Sequence, residues 1–142
     1  MALFKFVSSI INNQPIDIYN NGEMYRDFTY VDDLVNGIRL LVDCVPNNNK
    51  KISDNDSLSP IAPYRVVNIG NSHKIKLLDF IETIEEILNK KAIRNYMPIQ
   101  KGDVPATWAD ASLLKELTNY QPKTNYKDGI NNFVQWYREF YK

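Results

Sequence analysis

Histidine and cysteine are nearly missing from this sequence; His73 and Cys44 stand alone. One cysteine cannot close a disulfide within the chain, and with one histidine it cannot complete a structural zinc site. No metal site is therefore expected, and a reducing, cytoplasmic setting fits best. An excess of either charge is also lacking, since 17 basic side chains balance 17 acidic ones. Nothing is left over to hold a nucleic-acid backbone or an anionic membrane, so neither is expected as a partner. No apolar run approaches the ~20 residues that span a bilayer. The opening MALFKFVSSIINNQP has one lysine, no separate apolar stretch and no small-residue cleavage site, so it is a poor signal peptide. Glycine is scarce as well. Gly22, Gly37, Gly70, Gly102 and Gly129 are too far apart to build a glycine-rich phosphate loop.

What is present reads as one mixed α and β domain over residues 1–142, long enough to bury a real core. Leu3, Phe4, Phe6, Val7, Ile10 and Ile11 recur at helical spacing, and Pro15 disfavours continuation beyond Asn13. Ile16 to Tyr19 alternates like a short strand, and Asn20-Asn21-Gly22 signals a turn. Arg26 to Val31 reads extended; Asp32 is placed to cap a helix with apolar positions Leu34, Val35, Ile38, Leu41 and Val42. Pro46 to Pro63 is a polar insertion with little to bury, read as a mobile surface loop. Tyr64 to Ile69 reads as a strand. Leu77 to Leu88 traces an amphipathic helix whose Glu82, Glu85 and Glu86 form a solvated face. Ile93 to Met97 suits a short strand, and Asp110 a helix cap. Asn125 with Asp128 resembles a capping pair for a last helix burying Ile130, Phe133, Val134, Tyr137 and Phe140.

Three stretches mix charge, glycine and aromatics beyond what packing requires. In Arg26-Asp27-Phe28-Thr29-Tyr30-Val31-Asp32-Asp33, the arginine fork matches phosphate oxygens, with charge-assisted bonds of about 1.5–3 kcal/mol each. On spacing alone an ion pair between Arg26 and a carboxylate, contributing about 0–1 kcal/mol, is the simpler account. In Gln100-Lys101-Gly102-Asp103-Val104-Pro105, Gly102 permits a close backbone approach and Asp103 can accept two sugar hydroxyls, although a Gly-Asp turn is also an ordinary loop. Val67-Asn68-Ile69-Gly70-Asn71 has the form of a strand opening into a loop.

Taken together, MALFKF at the start, PIDIYNNGEMYRDFTYVDDLVNGI, VVNIGN, PIQKGDVPATWAD and YQPKTNYKDGINNFVQWYREFY resemble the C-terminal region of extended short-chain dehydrogenases, the NAD-dependent epimerase/dehydratase family. Within that family the resemblance is greatest to UDP-glucuronate 4-epimerases. It implies an α/β fold, the C-terminal substrate-binding part of a Rossmann-type architecture with the N-terminal dinucleotide-binding half absent. It moves Arg26 toward a diphosphate-binding role. It further implies that Asp17 and Tyr19 pair through their main chains with uracil, the Tyr19 ring covering the base. Asp103 would hold ribose hydroxyls with Gln100 nearby, a glutamine where many UDP-galactose enzymes carry arginine.

The family pairs a catalytic tyrosine with a lysine four residues later, so that the lysine lowers the phenol pKa for proton exchange with the sugar. None of the nine tyrosines here has lysine at that position. No catalytic and no cofactor-binding residue is therefore assigned; NAD is implied for the full-length enzyme and none is expected to be retained by this chain. Met1 aligns with an internal methionine of the family, which suggests a start within a longer gene, a split gene or an engineered subdomain. The leading expectation is a UDP-sugar-binding portion, for UDP-glucuronate or UDP-galacturonate, inactive alone. The alternatives are one half of a split epimerase with a separate N-terminal chain, and a non-enzymatic binding module. In the family the Val66–Val67 strand joins the large sheet and the helix from Asp32 packs on it. Without those neighbours, exposed apolar surface and self-association are expected.

Overall fold

The computed structural model describes residues 2–47 and 50–141; Asn48 and Asn49 of the polar insertion lie outside the described residues. The helical spacing at the start forms α1 (Ala2–Ile11), and Asn13 follows it in a left-handed conformation (φ 53°) just ahead of Pro15. β1 (Pro15–Ile18) buries Ile16 and Ile18 and exposes Pro15 and Asp17, as period-two alternation requires. Tyr19 does not continue the strand. It opens a 3-10 turn through Gly22, where Asn20 and Asn21 are left-handed and the Asn20 side chain donates to the Glu23 carbonyl at 2.8 Å. Asparagine tolerates this conformation because its short side chain bonds locally, and Asn89 and Asn119 use it to end helices. In a chain with few glycines, asparagine takes over that task.

The remaining elements are β2 (Tyr25–Arg26), α2 (Val31–Leu41), β3 (Ile75–Lys76), α3 (Leu77–Leu88), β4 (Ile93–Tyr96), α4 (Ser112–Thr118) and α5 (Tyr126–Phe140). Among the described residues β1 pairs with β4 in parallel and β2 with β3 antiparallel, two sheets of two strands each. By contacts the chain divides into two compact units, residues 1–26, 74–107 and 125–142, and residues 27–73 and 108–124.

In the first unit α1, α3 and α5 bury Val7, Ile10, Phe80, Ile81, Ile84, Ile130 and Val134 together with Ile16 and Ile18 of β1. Each such side chain contributes roughly 1.5–3 kcal/mol of burial. Phe4 packs edge-on to Tyr137, ring centroids 5.5 Å apart. Asn125 caps α5 by accepting from the Lys127 N–H at 3.0 Å, as its position suggests. The reading of α3 needs one correction. Glu85 is 2% exposed, not solvated. Its carboxylate accepts from Lys91 Nζ at 2.7 Å, the Ala92 N–H at 3.1 Å and Arg94 at 3.0 Å. The helix buries it because the loop that follows brings two cations back onto it, which periodicity cannot register.

In the second unit α2 begins at Val31 after Tyr30, so Asp32 lies in the first turn and does not cap it. Asp33 does more: its carboxylate accepts from the Thr124 N–H (2.8 Å), the Lys123 N–H (3.2 Å) and the Tyr120 hydroxyl (2.8 Å). Asp110 accepts from the Ser112 N–H at 2.9 Å, ahead of α4. Residues 64–69 join no ladder among the described residues. Ser57 Oγ instead engages both main-chain groups of Val66, and the Tyr64 carbonyl accepts from the Ser59 N–H.

The insertion is also better anchored than its composition suggests. Asp56 and Leu58 are buried, and Arg65 forks onto both oxygens of Asp56 at 2.8 and 2.9 Å. By contrast, Val31, Val35, Ile38 and Val42 line one stripe of α2 at 57, 56, 52 and 70% exposure. The helix turns Gly37 inward, against Ile69 and Leu114. This is the exposed apolar surface that the sequence led us to expect.

Candidate functional site

Asp17, Tyr19, Arg26, Gln100 and Asp103 all fall in the first unit. The geometry begins with β1. The Ile18 carbonyl accepts from the Met97 N–H at 2.9 Å, on the β4 side. Main-chain groups alternate edges along a strand, and a trans peptide points its C=O and N–H in opposite directions. The Asp17 carbonyl and the Tyr19 N–H therefore both face the edge of β1 away from β4. Among the described residues β1 has no second neighbour in its sheet. An acceptor and a donor stand side by side on an unpaired edge. Uracil presents a complementary edge through its ring N–H and a flanking carbonyl.

A cavity of about 420 Å³ borders this strand, lined by Ala2, Lys5, Phe6 and Ser9 of α1 and by Pro15, Ile16, Asp17 and Tyr19. Positions 2, 5, 6 and 9 are one helical face. Tyr19 is half-buried and lines this cavity. The Asp17 side chain does not hang free, because Asn95, its register partner on β4, donates to Oδ1 at 2.7 Å. Asn95 carried no sequence signal, since only the register opposes it to Asp17.

Arg26 and Asp103 lie 77 residues apart and meet at 2.8 Å, Arg26 Nη2 donating to Asp103 Oδ1. Both side chains keep solvent access, at 26 and 33%. The carboxylate of the simpler reading is thus Asp103, itself one of the residues singled out in the sequence. Nη1 donates to the Tyr25 carbonyl at 2.8 Å. With two donors engaged, the guanidinium is oriented and still has others for a ligand.

The loop bearing Asp103 is pinned to β2. The Tyr25 N–H donates to the Pro105 carbonyl and the Thr107 N–H to the Tyr25 carbonyl, at 2.8 and 3.2 Å. Gln100 begins the turn, its carbonyl accepting from the Asp103 N–H at 3.1 Å, and Gly102 supplies the positive φ of 86° the turn requires. Gln100 is exposed at that corner.

Asp27 does not pair with Arg26. It belongs to the second unit, where its carboxylate accepts from the Asn71, Ser72 and Ala109 N–H groups at 2.9–3.2 Å. The Asn68-to-Asn71 stretch and the Trp108–Asp110 stretch thus meet at one carboxylate. Gly70 permits this: an added Cβ would lie 2.4 Å from Ala109 Cβ and 2.9 Å from Asp27 Oδ2.

Side chains fill the space beside Gly22, Gly37 and Gly70, and Gly129 lies within α5. Gly102 is open, but in a turn away from any helix N-terminus. These residues do not form the cradle that receives a dinucleotide pyrophosphate.

The chain is 50% identical to Protein CapI of Staphylococcus aureus, covering 100% of itself and 43% of that protein. It is 45% identical to a probable UDP-glucuronate 4-epimerase of Rhizobium meliloti, covering 42% of it. Among solved structures it is similar to the UDP-glucuronic acid 4-epimerase of Bacillus cereus in complex with UDP-glucuronic acid and NAD. There the TM-score is 0.79 at 28% identity, over 99% of this chain and 40% of that one. The chain thus spans about two fifths of its relatives' length and corresponds to their C-terminal part. Residues 2–133 match the family model described as GDP-mannose 4,6 dehydratase, and the chain belongs to that family, as a C-terminal portion of the extended short-chain dehydrogenase fold.

Proposed function

We propose that this chain is the nucleotide-gripping portion of an NAD-dependent UDP-sugar 4-epimerase of the UDP-glucuronate type. Arg26 binds the diphosphate, Asp103 takes ribose hydroxyls with Gln100 beside it, and Asp17 and Tyr19 present the main-chain edge to uracil. The contact that carries this reading is the 2.8 Å pair of Arg26 with Asp103, which gathers the two charged members from distant sequence. The cavity beside Asp17 and Tyr19 supports it. UDP-glucuronate or UDP-galacturonate is the proposed ligand, in a cytoplasmic setting that the single cysteine suits. The chain has no tyrosine with lysine one helical turn on, so hydride and proton transfer at the sugar are assigned elsewhere in a complete enzyme. Titration calorimetry with UDP is expected to show Arg26→Ala weakening binding about tenfold, the loss of one charge-assisted contact. Equal affinities would remove Arg26 from the site.

A second reading rests on α2. The stripe Val31, Val35, Ile38 and Val42 favours a covering surface, supplied by the rest of a longer fold, by a separate N-terminal chain or by a second copy. For the chain alone we expect self-association. Sedimentation velocity should show the average mass rising with protein concentration, and a monomer at all concentrations would overturn this. A non-enzymatic binding module is the remaining alternative; it predicts that no complementing chain exists and that activity is never reconstituted.

A further inference from the structure

We propose that a cavity in the second unit binds a neutral pyranose through adjacent hydroxyls, read by Asp110, Asn68 and Asn55. The cavity measures about 310 Å³, at the small end of ligand pockets, and all of its lining belongs to residues 27–73 and 108–124. None of the residues proposed for the nucleotide lines it. The donors and acceptors left over in the wall decide what it takes. Ser57 Oγ is spent on both main-chain groups of Val66. Asn68 Nδ2 donates to the Asp110 carbonyl at 3.3 Å, which orients the amide and leaves its Oδ1 as an acceptor. The Asp110 carboxylate accepts from the Ser112 N–H at 2.9 Å and has lone pairs to spare. That bond and the Ser112 hydroxyl hold its pKa below the usual carboxylate range, so it is charged at neutral pH. Asn55 is exposed, and among the described residues its amide makes no hydrogen bond, so it can both donate and accept.

No lysine, arginine or histidine lines the cavity, and the Asp110 carboxylate repels anions, which disfavours phosphates and uronates. A single carboxylate is too few ligands for a divalent cation, and no group of three metal-ligating side chains stands together among the described residues. No aromatic ring lines the wall for a flat heterocycle to stack on. A neutral, hydroxyl-rich molecule fits what is left. Adjacent hydroxyls donate to a carboxylate and to an amide carbonyl while accepting from an amide N–H, the set that Asp110, Asn68 and Asn55 provide. The C–H face of the ring is apolar, and the wall meets it with Leu113 and with Val66, which is 54% exposed.

The test is amide-resolved NMR of the whole chain, titrated with methyl glucoside, methyl galactoside, methyl mannoside and, as the charged control, methyl glucuronide. At least one neutral glycoside is expected to move the amides of residues 55, 68 and 113 and to saturate in the millimolar range. The glucuronide should not. Asn55→Ala, at an exposed and unpaired amide, should weaken the neutral sugar about fivefold. Asp110→Asn keeps an acceptor for the Ser112 N–H and removes the charge. It should weaken the neutral sugar about tenfold and narrow the discrimination against glucuronide. No saturable shift with any neutral glycoside up to about 100 mM overturns the proposal. So does a glucuronide bound as well as the glucoside by the unaltered chain. Affinities unchanged in both variants would mean that the sugar sits elsewhere, and this overturns it too.

Discussion

Replacing Asp56 by alanine is expected to destabilise the chain by about 3 kcal/mol, because it leaves the Arg65 guanidinium buried without its partner. Asp56 is 2% exposed and the Arg65 side chain 7%. The carboxylate also accepts from the Ile52 and Leu58 N–H groups, both at 3.0 Å, so the substitution orphans two amides besides the cation. The Arg65 hydrogen bonds, helped by those amides and opposed by burial, hold its pKa down from 3.8 to about 2. Because the folded pKa lies below the unfolded one, the stabilisation is full above pH ~4 and lost as the pH falls toward 2. That shift corresponds to about 2 kcal/mol. Urea unfolding at pH 7, 4 and 2 checks both parts. The gap between the unaltered chain and Asp56→Ala should be large at pH 7 and shrink by pH 2. A variant as stable as the parent at pH 7 would mean that the insertion is not anchored through this pair.

Glu85→Ala is expected to cost about 2–3 kcal/mol, somewhat less, since its partners can return to water. Lys91 is 83% exposed and the Arg94 side chain 23%. Burial pushes the Glu85 carboxyl up, but the bonds from Lys91, Ala92 and Arg94 together outweigh it and leave the pKa below 4.5. The sign is again that of a depressed acid: the contribution is complete above the unfolded pKa and fades as the pH falls below it. Local consequences follow from Arg94, which sits on β4 in register with Ile16 of β1. Loosening Arg94 loosens the strand that holds Ile18 and, through Asn95, the Asp17 side chain. Amide hydrogen exchange in residues 93–97 should therefore rise in Glu85→Ala more than in α5. Unchanged exchange there would separate Glu85 from the cavity wall and leave it a helix–loop tie only.

Several features were legible because they are local. The α1 and α3 stripes follow from 3.6-residue spacing, and so does that of α5 except at Phe140, expected to be buried but 68% exposed at the end of the helix; the Asn125 cap follows from its side-chain chemistry, and the burial of Ile16 and Ile18 from strict alternation. The scarcity of glycine and the missing tyrosine–lysine pair are also properties of the chain as written.

Tertiary structure decided what depends on partners far along the chain. Glu85 reads as surface until Arg94 and Lys91 return to it, and Asp56 reads as loop until Arg65 reaches back. Asp27, next to Arg26 in sequence, holds backbone amides of residues 71, 72 and 109 instead. Residues 64–69 look like a strand but pair with no other strand among the described residues, and a ladder cannot form on one side alone. Arg26 and Asp103 were each singled out by side-chain chemistry, yet their meeting at 2.8 Å depends on the Tyr25 main chain clamping a loop eighty residues downstream. Hydrogen bonding and charge pairing over such separations are set by folded geometry, to which composition and periodicity are blind.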